Sequence, residues 1–443
     1  MSLTGRFVAL LLLGIVPVVV FGALAPGSAW LTLLVWVLVC AAAAVIDLAL
    51  APSARALTVS REVPGRVRLG ETAVTELRLA NAGRRTIAAT VRDGWQPSAG
   101  AAFSRARLRI PAGERRAVRV PLTPTRRGER RTEFVAVRSL GPLGLAARQL
   151  TTIAAGRIRV LPPFNARKHL PSRLARLREL DGRTAVMVRG QGTEFDSLRE
   201  YVRGDDVRSI DWRATARQGE SAGAGQRLMV RTWRPERDRR VIIVVDTART
   251  SAARVRDEPR LDTAFESALL LAALASHAGD RVDFLAWDRR VRGRVQGAAG
   301  AELLSRMVDA MAPIDAELIE ADWAGVPALV RSVSNQRALV VLLTSIDAPG
   351  ASTALLAMLP QLTRRHTVLV AAVTDPDAAA AITDRSTLER VYEAAAAERA
   401  LLDVARVSAA IRLLGGDVVT GSPADLPPAL ADRYLALKAA GRL

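Results

Sequence analysis

At 443 residues the chain is long enough for a membrane anchor and two soluble domains, and its 4% aromatic content means that its cores rest on Leu, Val, Ile and Ala. Its net charge of +19, carried by arginine except at Lys168 and Lys438, favours anionic head groups, an acidic partner or nucleic acid. Neither a stacking-aromatic pattern nor a reader motif accompanies that charge, so no nucleic-acid partner is expected, and the single Cys40 excludes an intrachain disulfide and a cysteine zinc cluster.

The first predicted elements are two apolar helices. Phe7 to Leu24 carries no charge, Ala25-Pro26-Gly27-Ser28 supplies a turn, and a second apolar run extends from about Ala29 to Ile46, closed by Asp47. Each run is long enough to cross about 30 Å of hydrocarbon. Ala23-Leu24-Ala25 resembles a signal cleavage site, but only Arg6 precedes the first run, so a two-helix hairpin is the preferred reading. Both readings deliver the body to the same side. Arg55, Arg61, Arg66 and Arg68 follow the second run, which by the positive-inside rule places the soluble domains in the cytoplasm, at a bacterial inner membrane.

From Leu57 to about Pro162 apolar and polar residues alternate with period two, as in Val74-Thr75-Glu76-Leu77-Arg78-Leu79. Pro64-Gly65, Asn81-Ala82-Gly83, Asp93-Gly94, Pro111-Ala112-Gly113 and Arg127-Gly128 supply turns. Regularly spaced strands and turns predict an immunoglobulin-like β-sandwich.

The stretch from Arg189 to Trp212 is the densest in information. Acidic residues (Glu194, Asp196, Glu200, Asp205, Asp206, Asp211) alternate with arginines (Arg189, Arg199, Arg203, Arg208), and Phe195, Tyr201 and Trp212 bring scarce aromatics to it. One reading is an ion-pair brace between domains; another is a docking surface. No two carboxylates are singled out as a catalytic pair.

After Arg240 strand and helix alternate. Val241–Val245, Val282–Ala286, Ala338–Leu343, Thr367–Val373 and Asp417–Val419 read as buried strands separated by helical patterns, giving a doubly wound parallel α/β sheet with ligand sites at strand carboxyl ends. Asp246 stands at such an end. Gly219-Glu220-Ser221-Ala222-Gly223 fits G-x-S-x-G but follows a polar loop, so it reads as a loop and not a nucleophile elbow. Neither lysine fits a Walker A motif.

The run Gly192-Thr193-Glu194-Phe195, Leu198-Arg199-Glu200-Tyr201, Gly204-Asp205-Asp206-Val207-Arg208 and Ile210-Asp211-Trp212 resembles the signature of the domain of unknown function 58 family. Arg126-Arg127-Gly128 and Gly141-Pro142-Leu143-Gly144-Leu145 match the family's β-region. The resemblance implies four parts: a transmembrane hairpin (1–50), the β-sandwich (51–162), the signature and connecting segment (163–239) and a von Willebrand factor A-like α/β domain (240–443). It also implies partnership with a MoxR-type AAA+ ATPase. In von Willebrand A domains the loop after the first strand ligates a metal through Asp-x-Ser-x-Ser. Here Asp246 and Thr250 remain, Ala248 replaces a serine, and Asp347 lies near where a second carboxylate is expected. Magnesium is therefore a weak expectation. The leading expectation is a non-enzymatic adaptor or scaffold on the lipid bilayer; the rivals are a carboxylate-dependent hydrolase and a basic membrane-surface or nucleic-acid binder.

Overall fold

The computed structural model describes residues 2–25, 27–187, 194–203, 207–219, 228–234, 239–347, 349–350 and 352–443. They form two compact units that divide between Leu161 and Pro162.

The first unit joins the apolar helices to the β-domain. A short strand β1 (Ser2–Leu3) precedes α1 (Gly5–Leu13), α2 (Ile15–Leu24) and α3 (Ser28–Leu50). The segments Gly5–Leu24 and Ser28–Ala56 are each long and apolar enough to cross a membrane. The first of these segments breaks at Gly14, three residues before Pro17. Proline has no N–H for the Leu13 carbonyl and crowds it, which ends the regular ladder there. Trp36 packs against this break and donates from Nε1 to the Leu10 carbonyl at 3.2 Å. A Cβ at Gly14 would overlap the Trp36 ring, so only glycine permits the approach.

Strands β2 (Leu57–Glu62), β3 (Arg66–Arg68), β4 (Ala73–Asn81), β5 (Ile87–Asp93), β6 (Arg105–Ile110), β7 (Arg115–Leu122), β8 (Gly128–Leu140) and β9 (Ala146–Leu161) build two sheets. One has the order β1-β9-β8-β5-β6 with β3 also on β9; the other is β2-β4-β7. The period-two pattern is visible in β4, whose residues alternate buried and open along its length. Leu77, Leu79, Val120 and Leu122 of one sheet meet Ile87, Val135, Ile158 and Val160 of the other in one core. Removing a side chain of this kind from water contributes about 1.5–3 kcal/mol. Within the core, the Arg61 guanidinium forks onto Asp93 at 2.7 and 2.9 Å and lies over the Trp95 ring at 5.4 Å. Both charged side chains are almost fully buried, a geometry that only a paired, hydrogen-bonded ion couple tolerates.

Helix α3 runs on to Leu50, past the Asp47 at which the sequence reading closes the apolar run. The reason is the partner that Asp47 finds. Its Oδ1 accepts the Leu143 amide at 2.7 Å, and its Oδ2 accepts the amides of Leu145 and Ala146 at 2.7 and 2.8 Å. The carboxylate is fully buried in the turn between β8 and β9. A Cβ at Gly141 would overlap it.

The second unit begins with α4 (Leu170–Met187), a helix the sequence reading left inside its connecting segment. An antiparallel ribbon follows, β10 (Glu194–Glu200) and β11 (Met229–Arg234), with α5 (Trp212–Gly219) between its strands. The main sheet comprises β12 (Arg240–Asp246), β15 (Arg281–Trp287), β16 (Val291–Val295), β17 (Leu339–Leu343), β18 (Thr367–Val373) and β19 (Asp417–Gly421); a minor pair, β13 (Arg254–Val255) and β14 (Glu258–Pro259), precedes β15. Its order is β16-β15-β12-β17-β18-β19, parallel except for β16, an antiparallel edge strand absent from the sequence reading. Helices α6 (Arg260–His277), α7 (Gly300–Met311) and α12 (Leu426–Ala439) pack together on one face. On the other, α8 (Val326–Val333), α9 (Thr353–Thr363) and α11 (Leu388–Leu413) share a core with Ile242, Val340, Leu342 and Val370; α10 (Pro376–Ala381) leads into α11. Strands covered on both faces explain the unbroken apolar runs.

Lys438, one of two lysines, pairs through Nζ with buried Asp280 at 2.8 Å, and Tyr434 donates its hydroxyl to the same carboxylate. Lys438→Met is expected to destabilise the chain by about 3 kcal/mol in urea titrations, because it strands a buried charge. Adding Asp280→Asn should recover much of the loss; strictly additive losses would contradict the coupling.

His366, between α9 and β18, is buried, and its Nδ1 has no hydrogen-bond partner among the described residues. Burial, with help from Arg365, holds its pKa below the ordinary 6.5. The folded state thus binds this proton less readily than the unfolded chain. Its stability is full above about pH 6.5 and is lost as pH falls below that toward the lowered folded value. Melting temperatures between about pH 8 and pH 5.5 should fall more steeply in the native chain than in His366→Gln, and equal slopes would contradict the assignment.

Candidate functional site

Two places collect the residues singled out in the sequence: the β10–β11 ribbon and the carboxyl ends of the central strands.

In the ribbon, Glu194 and Phe195 stand on β10 with their backbones registered against Arg234 and Trp233, and a bulge separates Phe195 from Ser197. Arg199 lies on the same strand and donates from Nη1 to the Glu200 carbonyl at 3.2 Å. Tyr201 ends the pairing with its amide on the Leu228 carbonyl at 2.8 Å. Arg208 belongs to a short turn, Val207–Ser209. Gly192, Gly204, Asp205 and Asp206 lie outside the described residues, as do residues 220–223 of the G-x-S-x-G match.

Asp211 is the organising residue here. Its Oδ1 accepts the amides of Arg213 and Ala214, both at 3.0 Å, and its Oδ2 accepts Arg231 Nε at 2.8 Å. It therefore caps the first turn of α5 while tying that helix to β11. The Ala214 amide and the Arg231 guanidinium hold its pKa below the usual carboxylate range. Thr215 completes the link by donating to the Asp211 carbonyl at 2.9 Å and accepting the Met229 amide at 3.0 Å. Trp212, the next residue, is 66% exposed. The sequence names Asp211 but not Arg231, because the ribbon's register, which sets the two side by side, is a tertiary property.

At the strand ends, Asp246 terminates β12 and is buried. Its Oδ1 accepts the Ala248 amide at 2.8 Å; its Oδ2 accepts the hydroxyls of Thr344 at 2.7 Å and Thr250 at 3.2 Å. Burial pushes its pKa up, and these donors offset part of that rise. The hydroxyl of Ser251 closes the loop onto the Asp246 carbonyl at 2.7 Å. Asp347 is held differently: Arg260, at the start of α6, pairs with it and donates to Ser345 at 2.9 Å, and Ser345 donates to Asp347 at 2.8 Å. A cleft of about 110 Å³ is lined by Asp246, Thr250, Thr344, Ser345, Asp347 and Ser352, with Arg249, Glu320 and Trp323 also on its wall. Arg249 and Glu320 pair at 2.5 Å.

A neighbouring carboxylate, Asp288, is fully buried. Burial alone would raise it, but the Arg292 guanidinium and the amides of Arg289 and Arg290 outweigh burial and hold its pKa low. Arg292 reaches it at 2.8 Å and Thr247 donates to it at 3.3 Å. Its acceptor positions are thus spent on structure, and it offers no open partner to Asp246 for acid–base work.

Residues 197–410 match the family described as protein of unknown function DUF58. A DUF58 segment is therefore present in this chain. The DUF58 span begins inside β10 and ends in α11, so it includes Arg199, Tyr201, Arg208, Asp211, Trp212, Asp246, Thr250 and Asp347 and leaves out Gly192, Glu194 and Phe195. No curated protein matches the chain. Among solved structures it is similar to the CARDB domain of a Pyrococcus furiosus protein in complex with di-metal ions, at 19% identity over 24% of this chain and 86% of that one, with a TM-score of 0.19. It is also similar to a complex of zinc 2-glycoprotein and prolactin inducible protein from human seminal plasma, at 12% identity over 24% and 92%, with a TM-score of 0.20.

The DUF58 strand-end cluster does not fit a magnesium shell as arranged. A hard cation needs oxygen lone pairs directed at it in nearly octahedral array. Both Asp246 oxygens are instead met by an amide and two hydroxyl protons, and the guanidinium of Arg260 occupies the cationic side of Asp347. Of the residues singled out in the sequence, Asp246 and Thr250 come together and Asp347 turns to Arg260. The sequence had no signal for Arg260 or Ser352. The expected result is that millimolar magnesium and a chelator leave the melting temperature of the full chain equal within error; a rise with magnesium that Asp246→Ala abolishes would contradict this arrangement.

Proposed function

We propose that the chain is a membrane-anchored, non-enzymatic adaptor whose DUF58 segment docks a MoxR-type AAA+ ATPase at the inner face of a bacterial cytoplasmic membrane. The observation that carries this reading is the apolar surface of the signature ribbon. Leu198, Val202, Val207 and Trp212 are exposed at 39, 61, 63 and 66%. Four open apolar side chains within one short segment, one of them tryptophan, are the composition of a protein contact and an unfavourable one to leave in water. The Asp211 clamp holds Trp212 at the head of α5, so that side chain starts from a fixed backbone.

Other features support the reading. The mostly parallel sheet with helices on both faces, and an aspartate at the end of a central strand, suits a von Willebrand A-like binding domain. The two apolar helices provide the anchor, and Arg55, Arg66 and Arg68 after them favour a cytoplasmic body. A hydrolase would need an open pair of carboxylates, whereas Asp288 is fully spent on its own loop.

The test uses the full chain in detergent against a purified MoxR-type ATPase, with affinity read by interferometry. Trp212→Ala should weaken binding by about tenfold or more, about 1.4 kcal/mol, with the circular dichroism spectrum unchanged. Undiminished affinity in a folded Val207→Ser/Trp212→Ala double variant would contradict the proposal.

A further inference from the structure

We propose that the tip of the β8–β9 hairpin rests in the head-group layer of the lipid bilayer, with Leu143 as its apolar foot. The proposal depends on the reading of α1 to α3 as membrane-crossing helices and adds where the β-domain meets the membrane.

Asp47 lies three residues before the end of α3, about 4.5 Å along the helix axis, so the turn that binds its carboxylate stands beside the last turn of the apolar helix and not beyond it. Arg148, just past the turn, donates to the Leu48 carbonyl at 3.1 Å at the same level. The amino-terminal segment adds to the attachment: Ser2 and Leu3 pair with Ala147 and Ala146 of β9, and the Thr4 hydroxyl donates to the Gly144 carbonyl at 2.6 Å. Together these attachments hold this end of the β-domain at the ends of the apolar helices, and helix ends in lipid carry the turn with them.

What the turn presents there suits lipid. Leu143 is 55% exposed although its own amide is bound to Asp47, and Leu3 on the adjoining strand is equally open. An isolated exposed leucine on a soluble surface means little. These two lie where the apolar helix ends, and head-group contact would take them out of water. The polar residues agree. Arg138 donates to the Ser2 hydroxyl and the Leu3 carbonyl, and Arg148 to the Leu48 carbonyl, so both guanidinium charges face neutral acceptors at a level where lipid phosphates lie. The Gly141-Pro142-Leu143-Gly144-Leu145 motif gains a role on this view: it builds a cradle of amides for one carboxylate and holds a leucine out toward lipid.

The experiment uses the full chain carrying Cys40→Ala, with a single cysteine introduced by Val45→Cys, Leu143→Cys or Arg126→Cys and labelled with bimane. Val45 is an exposed position on α3, and Arg126 lies at the far end of β8, about 40 Å from the tip. Each protein is reconstituted into nanodiscs of phosphatidylcholine and phosphatidylglycerol containing head-group nitroxide lipid. Quenching at 45 and 143, with none at 126, is the expected result. Quenching at 45 while 143 behaves like 126 would overturn the proposal and leave the membrane reading standing. Absence of quenching at 45 would overturn the membrane reading, and the proposal with it.

Discussion

A single carboxylate decides how the first unit is built. Asp47, in the last turn of an apolar helix, would be costly to bury without partners. Three backbone amides from a turn about a hundred residues later satisfy it, and in doing so fasten the β-domain to the helices. The consequences run outward from that contact. The helix continues past the charge, the β8–β9 turn is held at its end, and the amino-terminal strand extends the same sheet. An anchor joined this way is a pedestal for the β-domain.

The second unit uses the same chemistry at the residues singled out in its sequence. Asp211 caps α5 and binds Arg231 to shape the ribbon, and Asp246 gathers an amide and two hydroxyls to close the strand-end loop. In each case an acidic residue that the sequence singles out is spent on holding backbone in place. Trp212 and its apolar neighbours are exposed, and they are the surface on which the adaptor reading rests.

Local pattern was enough to find most of the architecture. Period two in β4, the apolar run of β12 and the turn at Pro111-Ala112-Gly113 are properties of neighbouring residues, and each element stands where its pattern puts it. The parts that escaped depend on distant pairing. The partner of Asp47 is about a hundred positions away, Thr344 is 98 from Asp246, and Arg231 meets Asp211 only after β10 and β11 pair. The edge strand β16 was missed because Arg292 and Arg294 interrupt its apolar pattern, and α4 because its charges hide a weak periodicity. The sequence position of Asp347 suits a metal ligand, but the guanidinium that claims it comes from another element.

Hydrogen–deuterium exchange at the turn amides tests the pedestal most directly. In the full chain in detergent, the amides of Leu143, Leu145 and Ala146 should be strongly protected, and Asp47→Ala should expose those three while strands β4 and β5 keep their protection. Rapid exchange of the three amides in the native chain, or protection that survives Asp47→Ala, would contradict the account.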